Sequence, residues 1–182
     1  SSKVVVELPI TRLEARRIEA LKTTVLELLT RSGTLEFTWD VGKKSHDALI
    51  QLQKAIGAGW VDEHNASHLR LPETVTMNAI NQALLTVSPA PGSRWVVRTL
   101  PPASRREKAT YVVYAAMKTA IADNNAVEST YLLKNDARRH VLGVQFTADA
   151  ATTIATATDN LRGRRLLVVF EGMVVAAPVI KD

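Results

Sequence analysis

The carboxy-terminal stretch, residues 143–180, constrains the fold more than any other part of the 182-residue chain. The apolar run Val141–Phe146, which overlaps the start of this stretch, is rich in β-branched residues and predicts a strand with a buried face. Thr147 is placed to cap a helix, apolar residues recur at helical spacing over 148–162, and Gly163 stands where a left-handed cap ends it. This stretch therefore predicts strand followed by helix.

A β-hairpin is predicted directly after that helix. Leu166–Phe170 is an apolar strand, Glu171 and Gly172 form a two-residue turn in which glycine supplies a positive φ, and Met173–Val175 returns as the partner strand. Because Pro178 has no amide hydrogen, we expect the returning strand to lie at a sheet edge or to end near this residue.

Three helices are predicted earlier in the chain. The first covers 11–32 and has one apolar stripe, and the second covers about 45–56 and is closed by Gly57. Trp60 and Val61 then suit a short strand. The third helix is predicted to start at Pro72 and to end before Ser88.

Two strands and one ambiguous segment complete the chain. Arg94–Arg98 and Val127–Leu133 are predicted strands, and Pro101–Pro102 is the best candidate for a hinge between lobes. Residues 105–122 contain a β-branched run, which favours a strand, and several alanines, which favour a helix; we interpret them as a helix.

The composition excludes several classes of site. The chain has no cysteine, so disulfides, thiolate metal sites and thiol nucleophiles are excluded. No apolar run is long enough to cross a bilayer, and 46% hydrophobic residues suit a globular core. The net charge of +5 indicates attraction to anionic surfaces such as phospholipid headgroups, acidic protein segments or nucleic acid. The basic residues occur as dispersed pairs, including Lys43–Lys44 and Arg164–Arg165, which act as solvated faces unless the fold brings them together.

No residue is assigned a catalytic, cofactor-binding or metal-binding role. His64 and His68 are four residues apart and could face one metal ion on a helix, but no third ligand is evident, so a polar connector is favoured. The chain has no nucleophile elbow, and Gly57-Ala58-Gly59 is not a dinucleotide fingerprint. No aromatic pair has the spacing of an RNA-binding sheet, so nucleic-acid binding is disfavoured. The three tryptophans could line a peptide groove, although core or interface positions are the favoured interpretation.

The predicted carboxy-terminal unit resembles the head subdomain in the first periplasmic domain of SecD and SecDF, the membrane-embedded accessory subunits of the bacterial protein-export channel. The family usually has Asp before the turn glycine, where this chain has Glu171. The matching residues are Phe146, Ala150, Asn160, Gly163, Arg164, Leu166, Val168, Gly172, Val174, Ala177, Pro178 and Ile180.

The amino-terminal segment also resembles the base of that domain, in which a strand ending in Glu-Leu-Pro leads through a helix into a Leu-Glu-Phe strand. The matching residues are Val4, Val5, Val6, Glu7, Leu8 and Pro9, followed by Leu35, Glu36 and Phe37. Together the two matches cover about 70 to 80 residues and occur in the expected order. They leave residues 41–130 unmatched.

From the pattern and the resemblance together we expect an α+β protein with ferredoxin-like βαβ elements and an antiparallel sheet in two lobes. Residues 1–100 would form a base-like lobe with a helical insertion, and residues 101–182 a head-like lobe. The resemblance implies a non-enzymatic, extracytoplasmic domain of a SecD- or SecDF-type subunit, in the periplasm or at the outer face of the bacterial inner membrane, anchored through segments absent from this chain.

The partners that the resemblance implies are the unfolded preprotein and the Sec translocon. An open sheet edge or a groove between the lobes is a plausible contact surface, with the hairpin 166–175 and the hinge near Pro101 as candidate places. The alternative is a stand-alone secreted or lipid-anchored binding protein that reuses the head module.

Overall fold

The computed structural model describes residues 34–61, 67–102, 104, 107–134 and 140–179. The predicted helix over 11–32, the base-like segment Val4–Pro9 and His64 lie outside these described residues. The described elements are strands β1 (Leu35–Trp39), β2 (Trp60–Val61), β3 (His68–Leu71), β4 (Ser93–Leu100), β5 (Thr110–Met117), β6 (Ala122–Asp123), β7 (Val127–Lys134), β8 (His140–Phe146), β9 (Leu166–Phe170) and β10 (Met173–Ala176), and helices α1 (His46–Ile56), α2 (Met77–Thr86) and α3 (Ala148–Asn160).

The predicted α+β class is confirmed. Eight strands form one sheet in the order β2-β3-β5-β4-β10-β9-β1-β6, and β7 and β8 form a separate antiparallel pair. All neighbours in the large sheet are antiparallel except β4 and β10. Strand β5 lies between β3 and β4 and is antiparallel to each of them. Helix α2 connects β3 to β4, so β3, α2 and β4 form a split βαβ unit.

The large sheet curls until its strands form a ring. Asp40, directly after β1, forms a bridge with Ala116 of β5, and the Val41 amide donates to the Ala115 carbonyl at 2.9 Å. These contacts join the two ends of the run β5-β4-β10-β9-β1. Glu36 of β1 and Arg94 of β4 form an ion pair although two strands separate them in the sheet order, which requires the same curvature. Ring closure pairs backbone groups that would otherwise line an open edge.

The ring separates three apolar clusters. The inner cluster contains side chains of β4, β5, β9 and β10, namely Val96, Val112, Tyr114, Ala116, Leu167, Val169 and Val174, with Ala177. On one outer face, β1 and β9 pack against α3 and β8 through side chains that include Trp39, Phe37 and Ile154. On the other, β3, β4 and β5 pack against α1 and α2 through side chains that include Leu69, Val113 and Ile80. Successive residues of β4, β5 and β9 therefore lie in different clusters.

The predicted helix over 105–122 is wrong, because this segment contains strand β5. Val113 is buried on the outer side of the ring and Val112 and Tyr114 on the inner side, so the strand buries both of its faces. A helix would bury a single stripe. Ala115 and Ala116, two of the alanines that favoured a helix, are fully buried where the end of β1 approaches, and their small side chains allow that approach.

The two predicted helices that precede β4 are found. Helix α1 ends at Ile56 and is closed by Gly57, which has φ 76°, as predicted. Helix α2 starts five residues later than predicted, because the hydroxyl of Thr76 accepts from the Ala79 amide at 3.3 Å and caps the helix there. Pro72 instead belongs to a turn in which its carbonyl accepts from Val75.

The predicted strand–helix–hairpin unit at the carboxy terminus is confirmed. Helix α3 packs Ala151 and Ile154 against β1 and β9, and β9 pairs antiparallel with β10. Glu171 and Gly172 both have positive φ, 49° and 77°, as a type I′ turn requires. Of the two options for Pro178, the edge position is wrong, because β10 lies between β9 and β4; the strand ends at Ala176.

The predicted division at residue 101 stays a prediction, as does the hinge. Pro101 and Pro102 lie in the loop between β4 and β5, which are paired from Ser93↔Met117 to Leu100↔Thr110. Strands from both sides of Pro101 therefore share the large sheet.

The β7–β8 pair contains a position, Gly143, at which only glycine fits without a clash. Gly143 is opposite Tyr131, and a Cβ at this position would lie 2.4 Å from Cε2 of the tyrosine ring. The ring therefore covers the glycine backbone, an arrangement that compensates for glycine in a strand.

We expect Gly143→Ala to destabilise the protein by about 1 to 3 kcal/mol, because the ring must move to admit the new methyl group. Without that clash, alanine in a strand is more stable than glycine by about 0.5 to 1 kcal/mol. Urea denaturation of Gly143→Ala in the wild-type and Tyr131→Ala backgrounds tests the cause. The substitution should become neutral or stabilising when the ring is absent, and an equal cost in both backgrounds would contradict this explanation.

Candidate functional site

A basic cleft of about 360 Å³ lies where the end of β1 meets the segment after α3. Five of the chain's 23 lysines and arginines line the cleft, so positive charge is concentrated there. The basic residues are Lys43, Lys44, Arg162, Arg164 and Arg165. The fold thus brings together the pairs Lys43–Lys44 and Arg164–Arg165, which are about 120 residues apart in the sequence.

Asp40 connects the two segments that line the cleft. Its side chain is 1% exposed, and its Oδ1 accepts from the Gly42 amide at 2.9 Å while its Oδ2 accepts from the Arg165 amide at 2.8 Å. The Arg164 Nε approaches Oδ1 at 3.4 Å. A buried carboxylate must have such partners to offset its lost hydration. The two short backbone bonds hold it more firmly than the longer guanidinium contact.

Gly42 allows this arrangement through its conformation. It has φ 58°, in the left-handed region that favours glycine. The glycine therefore turns the chain so that its amide can reach the Asp40 carboxylate.

The acids near the cleft do not balance its five cations within the described part of the chain. Lys43 and Lys44 are exposed and form no ion pair with any described residue. Arg162 contacts Asp159 at 3.6 Å, with both side chains largely exposed, which is a weak type of pair. The buried Nε of Arg165 has no hydrogen-bond partner among the described residues. The cleft therefore keeps excess positive charge and donors.

A second candidate surface is the edge of the β7–β8 pair. Each strand pairs only with the other among the described residues, so each presents one unpaired backbone edge. Glu128 lies in the register shift between Val127 and Ser129 and interrupts the first part of β7. Beyond it the regular pairing runs from Ser129↔Gln145 to Lys134↔His140. By contrast, the edge strands β2 and β6 of the large sheet have two residues each.

The hairpin from Leu166 to Val175 does not offer the open edge that the sequence interpretation assigned to it. β9 is paired on both sides, with β1 and β10, and β10 lies between β9 and β4. Met173 and Val175 remain partly exposed, at 38% and 42%, so these side chains of the hairpin are accessible. Strand β9 therefore has no open backbone edge, while β10 adjoins β4 through the pair Met173↔Val97.

The histidine that was considered as a metal ligand has a structural role. His68 lies in β3, is 2% exposed and stacks at a tilt on Tyr114. Its Nε2 accepts from the Arg70 Nε at 3.3 Å, so its Nδ1 carries the proton and faces the Ser67 Oγ at 3.1 Å. Both ring nitrogens are used within the protein.

The tryptophans do not form a common groove. Trp39 is buried in the cluster beneath α3, Trp95 packs at the margin of the cluster beneath α1 and α2, and its Nε1 donates to the Val87 carbonyl at 2.7 Å. Trp60 is 54% exposed on the edge strand β2. The predicted core position is therefore confirmed for Trp39.

Within the described ranges, no three His, Asp or Glu side chains are arranged to hold one metal ion. None of the helices in that part of the chain has the length and apolar character that a membrane span requires.

Comparison with protein-family models gives no match. Comparison with curated proteins also gives none. Among solved structures, the fold is similar to a membrane component, SecDF, that enhances protein export, with a TM-score of 0.41 and 14% identity over 95% of this chain and 59% of that one. It is also similar to SecDF in a super-membrane-facing form, with a TM-score of 0.34 and 13% identity over 92% of this chain and 29% of that one. At these low values the comparisons do not assign the chain to a family.

We expect Asp40→Asn to lower the free energy of unfolding by about 1 to 3 kcal/mol, because its amide nitrogen would face a backbone donor and leave it unsatisfied. Urea denaturation measures this loss. Asp159→Asn is the matched control, since it removes one exposed carboxylate near the same cleft, and it should change stability by less than about 0.5 kcal/mol. Equal stabilities of the two variants would contradict the structural role of Asp40.

Proposed function

We propose that the chain is an extracytoplasmic domain of a SecD- or SecDF-type export accessory subunit and that it contacts unfolded polypeptide without catalysing a reaction. The proposal rests first on the sequence resemblance at the carboxy terminus. Described residues that carry it occupy the predicted strand–helix–hairpin unit: Phe146 ends β8, Asn160 ends α3, and Gly172 forms the hairpin turn.

Several of those residues also have a clear physical role in the unit. Leu166 and Val168 of β9 pack against α3 with Phe146. The Pro178 carbonyl accepts from the Leu166 amide at 3.0 Å, although the strand has already ended. The resemblance therefore falls on positions that hold the unit together.

The single observation that favours contact with unfolded polypeptide is the backbone edge of the β7–β8 pair, with which no described strand pairs. An extended chain can add to such an edge through main-chain hydrogen bonds, which do not depend on the sequence of the added chain. The regular part of the edge covers six residues of β7 from Ser129, or six of β8 ending at Gln145. Six residues in strand conformation span about 20 Å, enough for several main-chain bonds.

We expect weak, sequence-tolerant binding of permanently unfolded polypeptides, which fluorescence anisotropy can measure with labelled peptides. The matched control is the same peptide with alternate backbone amides N-methylated, which keeps the side chains but removes donors for strand pairing. Its binding should be lost. Equal binding of both peptides would contradict strand addition, and no binding of any unfolded chain in the panel would contradict the proposed function.

Hydrogen exchange locates the contact independently. In the free protein, alternate amides of β7 and β8 should exchange fast because they point away from the partner strand. Adding the unmodified peptide should protect the fast set in one of the two strands. Protection of all these amides in the free protein would show that the edge is already paired and would exclude it as the binding surface.

A further inference from the structure

The basic cleft has the features of a binding site that is separate from the edge proposed for polypeptide binding. We propose that it binds a phosphate group, presented either by the headgroup of an anionic phospholipid or by a soluble phosphate compound. The cleft is assembled from two segments far apart in sequence, and the buried Asp40 carboxylate fixes both of them through short hydrogen bonds to Gly42 and Arg165. Its cations are therefore held together by the fold.

The charge balance of the cleft favours an anion. Five cationic side chains line it together with one carboxylate, and both oxygens of that carboxylate already accept hydrogen bonds from the protein. Bringing like charges together in a concave site is unfavourable unless an anion joins them, and a concave site with low-dielectric walls strengthens the attraction for that anion. Lys43 and Lys44 are exposed and can reach an anion without breaking an ion pair within the described residues.

The types of donor favour phosphate among anions. Guanidinium groups offer several N–H donors in a plane, and ammonium groups offer a mobile point charge, a combination that satisfies a group with several charged oxygens. A volume of about 360 Å³ accommodates a phosphate together with part of its substituent. No aromatic side chain lines the cleft, so a platform for stacking nucleic-acid bases is absent from the described lining.

The test compares two variants with the same change in net charge. Lys43→Gln/Lys44→Gln removes two exposed cations from the cleft, and Lys54→Gln/Lys118→Gln removes two exposed cations elsewhere. Titration with inorganic phosphate at constant ionic strength, followed by NMR chemical shifts of the full 182-residue chain, should show saturable shifts at residues of the cleft. The cleft variant should bind phosphate at least about tenfold more weakly than the wild type, because two charge-assisted contacts are lost. The control variant should bind phosphate as the wild type does.

Vesicle sedimentation distinguishes the two sources of the phosphate. Binding to phosphatidylglycerol vesicles but not to phosphatidylcholine vesicles, weakened in the cleft variant and reversed by inorganic phosphate, supports a lipid headgroup. Phosphate binding without vesicle binding supports a soluble phosphate compound.

Two results would overturn the proposal. Equal effects of the two variants on phosphate binding would show that net charge, and not the cleft, causes the attraction. Competition by acetate or by a glutamate-rich peptide as strong as that by phosphate would show that the cleft takes carboxylates of an acidic partner instead.

Discussion

The buried carboxylate of Asp40 is the interaction on which most of the architecture depends. The backbone of this residue closes the ring through the bridge to Ala116, and its amide donates to the Arg165 carbonyl, which extends the pairing of β1 with β9. Its side chain holds the amides of Gly42 and Arg165, so the turn after β1 and the turn after α3 are fixed to each other. Burying a charge is costly unless it is compensated, and here the compensating donors are mostly backbone groups whose positions define the fold.

Ring closure also determines which surfaces remain for other chains. A curled sheet whose long strands are paired on both sides offers little backbone for further pairing, which protects it against aggregation. Among the described strands, the long unpaired edges belong to β7 and β8, outside the ring. The sequence interpretation placed the contact surface in the hairpin 166–175, and we propose it instead at the pair that precedes α3. The hairpin forms as expected, but β1 lies beside β9 and β4 lies beside β10.

The elements that sequence predicts well are those with local signals. The turn at Glu171–Gly172 and the cap at Gly57 need only their own backbone geometry, so their positions follow from neighbouring residues. Strand β5 was predicted as a helix because its alanines are explained only by the end of β1, about 75 residues earlier. The basic cleft could not be predicted from the sequence for the same reason. Its lysine and arginine pairs are sequence features, but the Asp40 carboxylate that joins their segments bonds to a residue 125 positions later in the chain.

The two proposed surfaces are connected by one rigid element. Helix α3 starts two residues after β8 ends, and Arg162, which lines the cleft, lies two residues after the helix ends. Thirteen helical residues span about 20 Å, so an added strand on β8 and a phosphate in the cleft would be held at roughly that separation. Many of its threonines bond to carbonyls four residues earlier, so the helix depends on packing of Ala151 and Ile154 against the ring for much of its stability. The distance between the two surfaces is therefore set by the same core that Trp39 and Phe37 fill.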